Sequence, residues 1–106
     1  MIKYRVNNKF VDKNTLYEEL KRIYDETPRT FTYDECLDHL TTNGCIWLQA
    51  SKRKSYMYDY FYVADEQVFE LEQIIEENEY DALDGDAFAV AFAIYQKGFR
   101  KQKEVK

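Results

Sequence analysis

A chain of 106 residues with 45% hydrophobic and 17% aromatic content, one proline and three glycines carries enough apolar surface for one folded domain and excludes a disordered tail. The opening MIKYRVNNKF lacks the apolar run of a secretion signal, and the longest apolar run, Ala87 to Tyr95, is far short of a membrane span. The net charge of −5 is segregated: residues 1–64 hold ten Lys and Arg against nine acids, residues 65–86 hold ten acids and no base, and residues 87–106 hold five bases and one acid. A cytoplasmic protein with no membrane partner is expected, its Cys36 and Cys45 present as thiols.

The first segment, IKYRV-NN-KFV, reads as a hairpin over about 2–11, because Asn7 and Asn8 tolerate the positive φ of a tight turn between two strand-like runs. A helix over 15–26 follows. Asn14 or Thr15 caps it, Thr15 and Glu18 have capping-box spacing, Leu16, Leu20 and Ile23 form its apolar stripe, and Pro28 ends it. TYDE at Thr32 gives a second capping box, opening a helix over 33–43 that stops at Asn43-Gly44 and turns Tyr33, Cys36, Leu37 and Leu40 inward.

CIWLQA and YMYDYFYV then form a second hairpin over 45–63, joined by the basic loop SKRKS. A helix over 65–79 has Val68, Leu71, Ile74 and Ile75 as its inward arc. The last helix, over 86–98, begins after Asp84-Gly85-Asp86 and carries Phe88, Phe92, Tyr95 and Phe99 at i, i+4, i+7 and i+11. Apolar nearly all round, it is either central to the fold or shared with a second copy through that aromatic stripe. The expected fold class is α+β: two antiparallel hairpins and four helices packed on the sheet, in one domain over 1–106 whose last residues, 99–106, form a frayed basic tail.

Opposed residues of an antiparallel pair share a face, so the register of the second hairpin decides what its tyrosines touch. With a symmetric five-residue loop, Tyr56 faces Ala50, Tyr58 faces Leu48, Tyr60 faces Ile46, Asp59 faces Trp47 and Met57 faces Gln49. A slip by one sets Asp59 between Ile46 and Leu48 and sends the tyrosines out beside Trp47. Because burying an unpaired carboxylate costs several kcal/mol, the symmetric register is expected, with the tyrosine row in the core.

Catalytic and metal chemistry find little material. Cys36, His39 and Cys45, with Asp34 or Asp38, have ligand-type side chains, but C-x2-H-x5-C fits no common zinc module, and the bland reading is two small core thiols and a flanking imidazole. A Cys45 nucleophile with His39 as base would still need an orienting group and an oxyanion pocket. DALDGDAF misses calcium-loop spacing. No enzyme, cofactor, metal or small-molecule substrate is expected.

The acidic block is the most unusual feature. Asp65, Glu72, Glu76 and Glu79 fall in a narrow arc opposite the apolar stripe, Glu66, Glu70 and Glu77 widen it, and Asp81, Asp84 and Asp86 extend it through the turn. No lysine at i+4 offsets the repulsion, which points to a positively charged partner, a basic and nucleic-acid-binding protein whose groove a row of carboxylates can occupy; the bland alternative is a solvated acidic face. In size, acidity and tyrosine content the chain is similar to the counter-defence proteins of phages and mobile elements, including DNA mimics that inhibit restriction or CRISPR enzymes. That likeness implies a non-catalytic inhibitor. The alternative is a nucleic-acid-binding module that uses Lys52, Arg53 and Lys54 of the hairpin loop, with the basic tail, beside an aromatic platform.

Overall fold

The computed structural model describes residues 1–28, 31–50, 57–77 and 87–98. Its elements in chain order are β1 (Ile2–Val6), β2 (Lys9–Val11), α1 (Lys13–Glu26), α2 (Tyr33–Asn43), β3 (Cys45–Leu48), β4 (Asp59–Asp65), α3 (Glu66–Glu77) and α4 (Ala87–Gln96). The strands form one antiparallel sheet in the order β2-β1-β4-β3, and the fold is α+β as expected. The chain divides into two compact units, one of Ile2–Val63 and one of Met1 with the residues from Ala64 onward. No helix among the described residues is long and apolar enough to cross a membrane.

In the first unit, Val6 pairs with Lys9 across a two-residue turn in which Asn7 takes the positive φ, 56°. Asparagine tolerates that conformation better than most side chains. Helix α1 starts two residues earlier than the spacing predicts, because Asp12, not Asn14 or Thr15, is the cap: its carboxylate accepts from Thr15 N at 2.7 Å. That bond holds the Asp12 carboxyl below its ordinary value. The helix ends at Thr27, just before Pro28. Helix α2 matches expectation at both ends, with the full Thr32–Glu35 capping box and Gly44 in the left-handed conformation at φ 73°.

Helices α1 and α2 bury Leu16, Leu20, Ile23, Tyr24, Cys36 and Leu40 against Ile46, Leu48 and Phe61 of the sheet. Tyr24 closes the approach to α2: its hydroxyl donates to the Phe31 carbonyl at 2.8 Å, and its ring meets Phe31 and Tyr33 edge-on at 5.9 and 5.2 Å.

The second hairpin has the slipped register. Cys45 pairs with Tyr62, Ile46 with Phe61, Trp47 with Tyr60 and Leu48 with Asp59, so the expected pairings of Tyr58 with Leu48, Tyr60 with Ile46 and Asp59 with Trp47 are corrected by one residue. The pair Tyr56–Ala50 lies outside the described residues. Two balances explain the outcome. Phe61 becomes fully buried at 0% exposure, worth roughly 2–3 kcal/mol without a hydroxyl to accommodate, while the phenols of Tyr58, Tyr60 and Tyr62 stay on the outer face. Asp59 is only 5% exposed, but it is partnered: Asn7 Nδ2 donates to its Oδ1 at 3.2 Å, and the Arg22 guanidinium feels its charge. These partners offset part of the cost of desolvating the Asp59 carboxylate.

In the second unit, α3 and α4 pack together. Phe69 meets Phe88 at 5.5 Å and Phe88 stacks on Phe92 at 5.9 Å. This contact rotates α3 from its expected arc: Val68, Phe69, Glu72 and Ile75 are buried, whereas Ile74 is exposed.

Candidate functional site

The slipped register creates an outer sheet face. Strand alternation puts Lys3 and Arg5 of β1, Phe10 of β2, Tyr58 just ahead of β4, Tyr60 and Tyr62 of β4, and Cys45 and Trp47 of β3 on the side away from α1 and α2. Trp47 is 56% exposed and Tyr58 and Tyr60 are each 37% exposed. The rings form a ladder. Trp47 meets Tyr58 edge-on at 5.0 Å, Tyr58 meets Tyr60 at 6.4 Å, and Tyr60 and Tyr62 lie nearly parallel, 12° apart at 6.3 Å. At its far end the Arg5 guanidinium lies 4.1 Å from the Tyr62 centroid and 5.8 Å from that of Phe10, a cation on an aromatic plane.

Asn7 fixes the row. Its backbone N–H donates to the Tyr60 carbonyl at 2.7 Å, its Oδ1 accepts from Tyr60 N at 2.9 Å, and its Nδ2 reaches Asp59. A hollow of about 440 Å³ opens here beside Asn7, Asn8, Met57, Tyr58, Asp59, Tyr60 and Tyr62.

Charge is sorted by face. Among the described strand residues that point to the outer face none is acidic, and the charged ones are Lys3 and Arg5. On α1, by contrast, Lys21 and Arg22 are paired with Asp25 and Glu19 within the same helix. The aromatic face therefore has a local balance opposite to that of the whole chain. Lys52, Arg53 and Lys54, which join the strands of this hairpin in sequence, lie outside the described residues.

The expected acidic surface is only partly assembled. Glu72 lies within the buried face of α3 at 9% exposure, and Asp65 is engaged at the start of α3. Burial raises the Asp65 carboxyl, but hydrogen bonds from Gln67 N, the terminal ammonium and Tyr95 prevail and hold it below its ordinary value. Glu70, Glu76 and Glu77 are exposed and Glu66 is half-buried; Glu79, Asp81, Asp84 and Asp86 lie outside the described residues. Of the proposed self-association stripe, Phe88 is buried against Phe69, Phe92 and Tyr95 are half-buried, and Phe99 lies outside the described residues.

Cys36 is buried, and that burial pushes its thiol pKa up, while Cys45 is half-buried on the outer face. Among the described residues no three His, Cys, Asp or Glu side chains gather closely enough to hold a metal ion. Sequence reasoning missed Arg5, Phe10 and the role of the Asn7 side chain. The available signal was the alternation of Arg5 with Tyr4 and Val6, which sends the guanidinium to the face opposite the core. No family model matches the chain, and no curated protein and no solved structure matches it.

Proposed function

We propose that the protein is a non-catalytic module that binds single-stranded nucleic acid on the outer face of its sheet. The observation that carries this reading is the ladder Trp47–Tyr58–Tyr60–Tyr62, exposed over Trp47, Tyr58 and Tyr60 and ending on Arg5, on a face where the outward-pointing residues of the described strands include no acid. Stacking of bases on aromatic side chains contributes about 1–3 kcal/mol per base and tolerates any sequence. The 6.3–6.4 Å between successive tyrosine rings is nearly twice the roughly 3.4 Å rise per nucleotide of a duplex strand. Bases must therefore leave their own stack to meet one ring each, which favours a single strand over a duplex. Lys3, Arg5 and the loop bases Lys52, Arg53 and Lys54 supply the charge for phosphates.

Fluorescence anisotropy with labelled ten-nucleotide DNA and RNA at about 50 mM salt tests this. Single strands should bind more tightly than a duplex and weaken as salt rises. Tyr58→Ala with Tyr60→Ala should lower affinity by about 10-fold or more, and alanine at Lys52, Arg53 and Lys54 should flatten the salt dependence. No binding of either oligonucleotide at low salt would sink the proposal.

A second reading keeps support from α3, which contains no lysine or arginine and exposes Glu70, Glu76 and Glu77. On that reading the helix docks on a basic, nucleic-acid-binding protein and inhibits it in the manner of an anti-restriction or anti-CRISPR factor. Lysine at Glu70, Glu76 and Glu77 together should abolish the inhibition of a sensitive nuclease in vitro while the circular dichroism stays unchanged.

A further inference from the structure

We propose that the open edge of β3 and the cleft beside α2 form a strand-addition site for an extended peptide that carries one large apolar side chain flanked by lysine or arginine. Strand β3 ends the sheet order β2-β1-β4-β3, so among the described residues one side is paired with β4 and the other is an edge. Val63 N donates to the Gly44 carbonyl at 2.9 Å, and Ile46 and Leu48 lie opposite Phe61 and Asp59. Residues of an antiparallel strand turn their backbone groups to alternate sides, so Gly44, Ile46 and Leu48 address β4 and Trp47 turns its N–H and C=O to the edge. An edge of this kind is a template for another extended segment.

A cleft of about 540 Å³ lies along that edge and touches Ile46 and Leu48 as well as Trp47. Ile46 and Leu48 point to the inner face and Trp47 to the outer one. A cleft that meets all three borders the strand along Ile46–Leu48, the stretch from which the Trp47 backbone groups emerge. Its other wall is Cys36 and His39 of α2 with Phe31 at the end, a volume and lining suited to one large apolar side chain. A peptide laid along Trp47 exchanges two backbone hydrogen bonds with it, and every second side chain faces the cleft.

Charge selects the neighbours of that side chain. Helix α2 has no lysine or arginine, Glu35 borders the cleft, and Asp38 stands three residues on, on the same side of the helix. A basic residue beside the apolar anchor is matched to this rim.

Panning the protein against a phage-displayed library of random linear decapeptides tests the site. The expected result is a consensus of one aromatic or branched apolar residue next to Lys or Arg. The synthetic consensus peptide should lose at least 10-fold in affinity when its alternate backbone nitrogens are methylated, and should bind Asp38→Lys at least 10-fold more weakly. A selection without that consensus, or a peptide indifferent to both changes, overturns the proposal. So does sedimentation of a dimer that Trp47→Pro dissolves, since the edge then belongs to a second copy.

Discussion

Two aromatic rows stand in this protein, one on the sheet and one between helices, and they meet opposite fates. On β4 the tyrosines recur every second residue and their rings lie in an exposed ladder with Trp47 and Arg5. Between α3 and α4, Phe69, Phe88 and Phe92 touch in sequence, and Phe69 and Phe88 are buried. Spacing places a ring on a face; in β4 and between α3 and α4 it is Phe61, Phe69 and Phe88, the rings without a hydroxyl, that take the dry side. A phenol inside needs a partner for its hydroxyl, whereas a phenyl needs only volume. Strand β4 makes the same choice within three residues, with Phe61 inside and Tyr60 and Tyr62 outside.

The comparison breaks most visibly if the two faces of β4 respond alike to truncation. Phe61→Ala should cost about 3–5 kcal/mol in urea unfolding, the range for a large buried ring. Asn7→Gly comes next: glycine keeps the positive φ but removes the amide that Tyr60 N–H and Asp59 use, at about 1–3 kcal/mol. Tyr60→Ala should lie within about 1 kcal/mol of the parent while still weakening oligonucleotide binding. Equal losses at positions 60 and 61 would mean that the tyrosine row is structural. The smallest effect is with pH. Asp12 and Asp65 have lowered carboxyl values at the starts of α1 and α3. Their stabilisation is fully present above the ordinary aspartate value of about 3.9 and is lost as pH falls through the lowered folded values. Far-ultraviolet circular dichroism between pH 6 and 2 should show helix content falling only below that point, and Asp12→Asn should reduce the change.

What could be read from the sequence follows the range of the forces involved. Helix α2 was legible at both ends because a capping box and a left-handed glycine act within a few residues. The two hairpins were legible from the Asn7-Asn8 turn and from alternation, although β4 runs to Asp65, two residues past its expected end. The register was not, because it turns on a partner 52 residues away, the Asn7 amide beside Asp59. Nor was the buried face of α3. Val68 and Ile75 fit the expected arc, but contact with Phe88 selects Phe69 and carries Glu72 inward with it. The candidate site shared this fate: its tyrosines and Trp47 were evident as residues, yet a one-residue slip decided whether they formed a core or a surface.

Asn7 holds Tyr60 through its backbone N–H and its side-chain oxygen, and Asp59 through its amide nitrogen. A key in the turn between β1 and β2 therefore fixes the phase of β4. Insertion of one residue between β3 and β4 should therefore leave Tyr60 on the outer face and Phe61 inside, the phase that the Asn7 bonds hold.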